Sequence, residues 1–244
     1  MSFLLLSNWF DREGFQAWKL NTWQDWVMFG FAVLLGVFGF WFAIRKIKKN
    51  RTPERAAERV ARKLIKLGGK DARVYRDIII ENSRGMIRCD MLYLSQDRLH
   101  PVKVFNRGVT VSGQMGSKNW VIGDNEGNTT VLNPLITLGK QKDMLNYFFV
   151  ENHLGKVPMD PIVVFADTYS YPHIKIFGFT SAVAYRDLRK WRKERPMSDD
   201  VRWKRDKVVD LLEAAMADTP AREARLAALE AAEAEAKAEG SDQK

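Results

Sequence analysis

A long run of uncharged apolar residues near the N-terminus constrains the fold of this chain more than any other feature. Residues 26–44 read WVMFGFAVLLGVFGFWFAI and contain no charged side chain. A helix rises about 1.5 Å per residue, so this run would span roughly 28 Å, close to the thickness of a bilayer's hydrocarbon core. The run therefore predicts a transmembrane helix. A buried helix of a soluble domain is the alternative, although uncharged runs of this length are rare there.

Basic residues flank this run unequally. Only Arg12 and Lys19 precede it, whereas the segment from Arg45 to Lys70 contains eleven Lys or Arg residues against two Glu residues. Because Lys and Arg favour the cytoplasmic side of a membrane protein, we expect a single-pass protein of the bacterial inner membrane. Its N-terminus would be periplasmic and its C-terminal domain cytoplasmic. Basic residues directly after the apolar core also argue against a cleavable signal peptide.

Composition divides the remainder of the chain into four further segments. Residues 1–25 mix Trp and Phe with charged residues, which predicts an amphipathic segment in the head-group layer or, alternatively, a partner-binding segment. Residues 45–53 are predicted to be a basic juxtamembrane linker, attracted to anionic lipid rather than to nucleic acid. Residues 54–196 would form one globular domain, and residues 197–244 a C-terminal helical tail.

The apolar periodicity of the globular part predicts both helices and strands. Helical spacing covers residues 54–67, which Gly68 and Gly69 end, and residues 133–150, which carry a Pro in the first turn. Alternating or fully apolar runs predict strands over residues 74–81, 86–94, 102–111 and 161–166, with another at 174–179. This order predicts an α/β fold with a mixed sheet.

The C-terminal segment is predicted to contain two helices. The first would begin at Ser198, which can cap a helix and precedes two Asp residues in the first turn. The sequence Asp218-Thr219-Pro220 would end that helix and begin a second one, rich in Ala and Glu. Because this second helix offers little apolar surface besides Leu226 and Leu229, we expect it to be solvated rather than to form a coiled coil.

Several residues of the globular part follow the order and spacing of a known family. Glu58 lies in an early helix, and Asp90 ends the strand sequence Ile-Arg-Cys-Asp. Thirteen residues after Asp90 the chain reads Lys103-Val-Phe105-Asn. Further matching positions are the Asn106-Arg-Gly sequence, Trp120, the pair Asn133-Pro134 and the apolar run 162–165.

In these positions the stretch from Glu54 to Arg195 resembles the nuclease-related domain (NERD) family. The family belongs to the PD-(D/E)XK restriction-endonuclease-like fold, so the resemblance implies a sandwich of helices around a mixed sheet. Where the family carries Glu-x-Lys-Asn, this sequence carries Lys103 and Phe105. Thr137 and Gln141 stand where the family usually has Gln and His.

The resemblance implies a degenerate catalytic site. Nucleases of this fold use the Asp and the motif Glu to bind Mg²⁺, while the motif Lys positions the attacking water. Lys103 would repel the cation, and Phe105 can neither coordinate a metal nor donate a hydrogen bond. We therefore expect no metal site, no catalysis and an ion pair between Lys103 and Asp90. The alternative is a Mg²⁺-dependent nuclease whose site has been rearranged, for example with Glu81 or Asp97 as substitutes.

Other candidates for chemistry are weaker. His100, His153 and His173 lack the spacing of zinc ligands, and the chain has only one cysteine. Cys89 cannot form an intramolecular disulfide, which fits a reducing compartment. Its position in a predicted core strand favours packing over a role as a nucleophile.

A second basic cluster lies before the C-terminal segment. Residues 185–207 contain ten Lys or Arg residues together with Trp191 and Trp203. Such a mixture can bind phosphates and stack on bases, and it can equally lie against a lipid leaflet. The predicted nucleic-acid or lipid-binding residues are Arg189, Lys190, Trp191, Arg192, Lys193 and Arg195.

Together these features predict a membrane-anchored, catalytically inactive domain that acts by binding, as a scaffold subunit in secretion, conjugation or DNA handling. Its expected partners are the lipid bilayer and other proteins, with weak nucleic-acid binding at most. No cofactor is expected, unless the nuclease alternative holds and Mg²⁺ is required.

Overall fold

The computed structural model describes residues 23–50, 52–106, 110–124, 127–167, 171–179, 181–195 and 203–241. Most of the predicted interfacial segment, residues 1–22, and the predicted helix start at Ser198 lie outside these residues. The chain separates into two compact units, residues 1–50 and residues 51–244, which are described in turn.

The first unit contains one long helix, α1 (Trp23–Asn50). Its apolar part, Val27–Arg45, is long and apolar enough to cross a membrane and has no buried residues, which confirms the prediction of a helix of spanning length. The first part of the predicted linker over residues 45–53 is helical, because α1 continues through the basic residues to Asn50. Lys and Arg are good helix formers, and the chain becomes extended only at Thr52, before Pro53.

The second unit contains nine strands and four helices among its described residues, together with a single 3-10 turn at Tyr185–Asp187. The helices are α2 (Pro53–Gly68), α3 (Pro134–Glu151), α4 (Leu188–Glu194) and α5 (Arg205–Ser241). The strands are β1 (Arg73–Asn82), β2 (Gly85–Leu94), β3 (Leu99–Phe105), β4 (Thr110–Gln114), β5 (Asn119–Asp124), β6 (Gly127–Leu132), β7 (Ile162–Phe165), β8 (His173–Phe177) and β9 (Ala182–Ala184).

The strands form two mixed sheets. The five-stranded sheet has the order β1-β2-β3-β7-β9, in which β1, β2 and β3 are antiparallel neighbours while β7 runs parallel to both β3 and β9. The four-stranded sheet has the order β6-β5-β4-β8, with β4 and β8 parallel. The predicted mixed α/β fold is confirmed.

Helices cover both faces of the five-stranded sheet, and apolar side chains of β2 point alternately toward one face and the other. Met91 and Tyr93 face a cluster that includes Val60 and Leu64 of α2. Leu92 and Leu94 face the opposite cluster, which contains residues of α3 and α5. In α5 the buried side chains are Val208, Val209, Leu212 and Ala215. The first half of the predicted tail therefore completes the core.

Two predictions about the elements are wrong. The single strand predicted over residues 102–111 is two strands, β3 and β4, that belong to different sheets. The helix break predicted at Asp218-Thr219-Pro220 does not occur, because α5 continues through Pro220. At this point the hydroxyl of Thr219 accepts a hydrogen bond from the backbone N–H of Ile79 (3.3 Å), and Arg222 donates to the Ile79 carbonyl (3.0 Å). Helix α5 thus satisfies polar groups of the edge strand β1 and stays packed against it.

Candidate functional site

Three adjacent strands place three charged residues in a row across the five-stranded sheet. The register pairs Arg76 with Met91 and Ile78 with Cys89, so Asp77 stands opposite Asp90. Between β2 and β3 the register pairs Leu92 with Pro101, and two residues further along Lys103 stands opposite Asp90. Sheet register alone therefore brings Asp77, Asp90 and Lys103 together.

Lys103 and Asp90 form a direct ion pair. The Lys103 ammonium donates to Oδ2 of Asp90 at 2.5 Å, and the two side chains are 34% and 46% exposed. This confirms the predicted pair across β2 and β3. One oxygen of the Asp90 carboxylate is consequently bound to a cationic side chain of the same domain.

The pair lies in a cleft of about 250 Å³ between the start of α2 and the sheet. The residues that line it are Pro53, Glu54, Ala57, Arg76, Asp77, Asp90, Met91, Lys103 and Val104. Glu58, the helix residue predicted for this site, is absent from this lining. It lies one turn farther along α2, where it is exposed and pairs with Arg62 at 3.1 Å. Glu54 therefore supplies the helix carboxylate of the cleft.

Asp77 is a second carboxylate that sequence analysis did not identify. Its φ of +52° lies in the left-handed region, which costs a non-glycine residue about 1 kcal/mol. Tyr75 and Ile78, three residues apart rather than two, contact the same core cluster, and so do Cys89 and Leu92 on the neighbouring strand. In both strands the side chains that face this cluster are therefore out of step before and after Asp77 and Asp90. A search for strict alternation of apolar residues does not detect such a position.

Phe105 belongs to the core and does not line the cleft. Its ring stacks on that of Phe165, with centroids 5.4 Å apart and planes inclined by 13°. It also packs against the apolar cluster beneath the second sheet, which includes Val111 and Trp120. The position where the family carries a catalytic ammonium is thus occupied by a packing residue.

Within the described residues, no group of three or more His, Cys, Asp or Glu side chains is placed to hold a metal ion. In the cleft the Lys103 ammonium lies against Asp90, at a place where a cation would have to compete with it. The proposed substitutes lie elsewhere. Glu81 pairs with Arg222 and Arg225, and Asp97 is buried beside Arg98. Burial raises the pKa of Cys89 to about 12, as expected of a packing residue rather than a nucleophile.

The structure divides the second basic cluster into buried and exposed members. Arg189, Lys190 and Lys193 are exposed on α4. Trp191, only 6% exposed, packs in the core against α2 and the sheet. Trp203 is half-buried and donates a hydrogen bond to the Gln96 carbonyl at 3.3 Å. The Trp191 indole is therefore not available for stacking on bases.

Arg192 and Arg195 also point inward rather than toward a partner. Arg192 lies 4.0 Å from a carboxylate oxygen of Asp97, and Arg195 pairs with Asp160 and Ser181. These contacts satisfy buried polar groups of the loops around β3 and β7. Trp191, Arg192 and Arg195 of the predicted binding cluster thus make contacts within the domain, whereas Arg189, Lys190 and Lys193 are exposed.

The inward arginines belong to a buried polar network centred on His100. The His100 ring lies beside those of Tyr93 and Trp191, with centroids 5.4 Å away in each case, and its Nδ1 is 2.8 Å from the Asp160 carbonyl. Burial lowers the pKa of His100 to about 3, so the ring is neutral. Burial opposes ionisation of Asp97, but hydrogen bonds from Ser95 and Arg98 prevail and lower the pKa of that carboxyl. His100 is therefore part of the core, not a ligand or a base.

This part of the chain is similar to a known protein family. Residues 52–166 match the family model of the nuclease-related domain. The match covers just under half of the 244 residues, from the start of α2 to the end of β7, and includes the whole Asp77–Asp90–Lys103 row. The curated proteins and the solved structures compared with the chain give no match.

Proposed function

We propose that this chain, in which residues 52–166 form a nuclease-related domain, is a membrane-anchored protein whose domain binds rather than cleaves. It acts as a scaffold or binding subunit of a membrane-associated assembly in secretion, conjugation or DNA handling. The observation that carries this proposal is the Lys103 ammonium placed 2.5 Å from Asp90, where a nuclease of this fold holds a metal ion.

The chemistry of the cleft supports binding over catalysis. A divalent cation next to Asp90 would have to displace or repel an ammonium that the chain itself supplies. Phe105 stands at the position of the motif Lys, and its ring is stacked on that of Phe165. Without a metal and a positioned water, phosphodiester hydrolysis lacks the groups that stabilise its transition state.

The anchoring part of the proposal rests on α1. An apolar helix with none of its Val27–Arg45 portion buried has a strong preference for lipid over water. The basic residues that follow favour retention of the second unit on the cytoplasmic side of a bacterial inner membrane. The lipid bilayer is thus the first partner, and protein subunits of the assembly are the second.

A nuclease assay on the full chain tests the proposal. The detergent-solubilised protein is incubated with single- and double-stranded DNA in the presence of Mg²⁺ or Mn²⁺. We expect no cleavage above that of a matched Asp90→Ala preparation. Metal-dependent cleavage that Asp90→Ala abolishes would contradict the proposal and establish the nuclease alternative.

One observation favours that alternative, a nuclease with a rearranged site. Asp77 provides a second carboxylate opposite Asp90, at a backbone conformation that is common at functional sites. If the chain cleaves DNA through this pair, Asp77→Ala should abolish cleavage while Glu58→Ala, on the exposed side of α2, should not. The two variants distinguish the rearranged site from the arrangement expected from the family motif.

Nucleic-acid binding by the exposed basic residues of α4 is tested separately. For each phosphate that the protein neutralises, the slope of log K against log salt concentration becomes more negative by roughly 0.7 to 0.9. We expect weak, sequence-independent binding, with little change when Arg189, Lys190 and Lys193 are replaced by Glu. Lys156→Glu, on an exposed loop, is the control. If the unaltered chain binds tightly at physiological salt, and the triple α4 variant loses this binding while Lys156→Glu keeps it, nucleic acid is the ligand.

A further inference from the structure

One end of the four-stranded sheet exposes a group of large apolar side chains. Phe177 is 72% exposed, Met115 56%, Leu132 53% and Ile136 39%. We call these four residues the apolar tip. They come from the ends of β8, β4 and β6 and from the first turn of α3.

Backbone and side-chain hydrogen bonds hold the four residues of the apolar tip close together. The Met115 N–H donates to the Phe177 carbonyl at 2.9 Å, and the Asn133 side chain donates to the Met115 carbonyl at 2.9 Å. Asn133 directly follows Leu132, and its carbonyl accepts from the Ile136 N–H at 3.1 Å. The four exposed side chains are therefore carried by backbone segments that are linked to one another at the same end of the sheet.

The segments that form the tip carry charges of a single sign. The segments that form it, residues 112–118, 128–140 and 173–179, contain Lys118, Lys140 and Lys175 but no Asp or Glu. All three lysines are exposed. Lys175 shares the exposed face of β8 with Phe177, and Lys140 lies one turn after Ile136 on α3.

We propose that the apolar tip inserts into the head-group layer of an anionic bilayer. Exposed apolar side chains with a rim of lysines fit the interface between acyl chains and anionic head groups, where each group finds its preferred surroundings. Neutral lipid or an uncharged protein surface would leave the lysines without a counter-charge. The interaction rests on the membrane anchor of the proposed function, because a tethered domain meets the bilayer at high local concentration.

Fluorescence quenching in vesicles tests this contact on the full chain. Phe177→Cys is labelled with an environment-sensitive dye, and Lys156→Cys, at an exposed loop outside the tip, is the matched control. Cys89 is buried and resists labelling because its thiol is hardly ionised. The proteins are placed in vesicles of phosphatidylcholine with phosphatidylglycerol, which carry a nitroxide-labelled lipid as quencher.

We expect the nitroxide lipid to quench the label at position 177 and not the label at position 156. Replacing Lys118, Lys140 and Lys175 by Glu should reduce the quenching at 177 to the level of the control, since each lysine near an anionic surface strengthens binding about five-fold. In vesicles of phosphatidylcholine alone, the quenching at position 177 of the unaltered tip should likewise fall to the level of the control. Circular dichroism of the triple variant establishes that its fold is retained.

Alkaline extraction separates failure of this contact from failure of the anchor. If the chain resists extraction but the label at 177 is not quenched by lipid, the inferred contact is wrong and the anchor stands. If the label at 177 is shielded from an aqueous quencher as well, the tip is covered by protein, and lipid is again excluded. Release of the whole chain by alkali would overturn the anchor and, with it, the tethered contact.

Discussion

The ammonium of Lys103 lies 2.5 Å from Oδ2 of Asp90, directly across two adjacent strands. Both side chains are partly exposed, so water screens their attraction. When one partner is removed, water can hydrate the other. We expect Lys103→Met to lower the free energy of unfolding by less than about 1 kcal/mol, as measured by urea titration of the full chain in detergent. A much larger loss would mean that the pair has a structural role that its exposure does not indicate.

Protonation of His100 should make stability depend on pH. Its pKa is lowered to about 3 in the folded chain, whereas an unfolded histidine titrates near 6.5. Between these values the unfolded state binds more protons, so stability falls as the pH falls, by up to about 1.4 kcal/mol per pH unit. The pKa of Asp97 is lowered, so the stability it contributes is lost only below its unfolded value near 3.8. The interval from pH 6.5 to 5 therefore isolates His100.

The measurement is the urea midpoint of the full chain at several pH values in that interval. His100→Asn should lower stability overall but flatten its dependence on pH. His153→Asn, at an exposed position, serves as the control and should leave the dependence unchanged. An unchanged slope in His100→Asn would show that another group causes it.

Helix α5 should be essential for the stability of the domain. Leu212 is fully buried in the cluster that joins α5 to β1 and α3. Leu212→Ala removes that packing and should cost about 2–5 kcal/mol of unfolding free energy in a urea titration. Met216→Ala, one turn farther on and 40% exposed, is the matched control and should cost much less. Equal effects of the two substitutions would contradict the packing of α5.

A charge in the middle of α1 should prevent stable membrane integration. Leu35→Arg places a guanidinium at mid-span, at a cost of about 2.5–3.5 kcal/mol on insertion scales. We expect the variant to be released by alkaline extraction, whereas Leu35→Ala should remain in the membrane fraction. Retention of the Arg variant would indicate that α1 is held by something other than the bilayer core.

The orientation of α1 is checked by a reporter that is active only outside the inner membrane. Fused after Lys244, it should give no signal, because the basic flank on the C-terminal side of the span keeps that side in the cytoplasm. Reversing the charge of Lys46, Lys48 and Lys49 should raise the signal. A strong signal from the unaltered fusion would invert the predicted topology.

Elements with a strong local pattern were predictable from the sequence. Helix α1 follows from its uncharged run, α2 from its apolar spacing, and the hairpin of β1 and β2 from alternation around a Gly-containing turn. The Lys103–Asp90 pair also followed from the family resemblance, which places both residues at one site. Strands β5 and β6 were missed because their apolar runs are only three and two residues long.

The remaining parts of the site depend on contacts between distant segments. Asp77 joins the cleft only through sheet register and a backbone conformation that breaks the alternation of β1. Arg192 and Arg195 turn inward because two carboxylates far away in sequence, the buried Asp97 and the partly buried Asp160, pair with them. No local pattern distinguishes such arginines from solvated ones.

Because α5 packs on β1, the core around β1 stays incomplete during most of the synthesis of the domain. Strand β1 leaves the ribosome early, but Val208, Leu212 and the other side chains that cover its Ile78 and Ile80 emerge about 130 residues later. Until then the nascent domain exposes an apolar face beside an unprotected sheet edge, which is a target for chaperones and for wrong strand pairing. This part of the core can therefore be completed only after α5 has been translated.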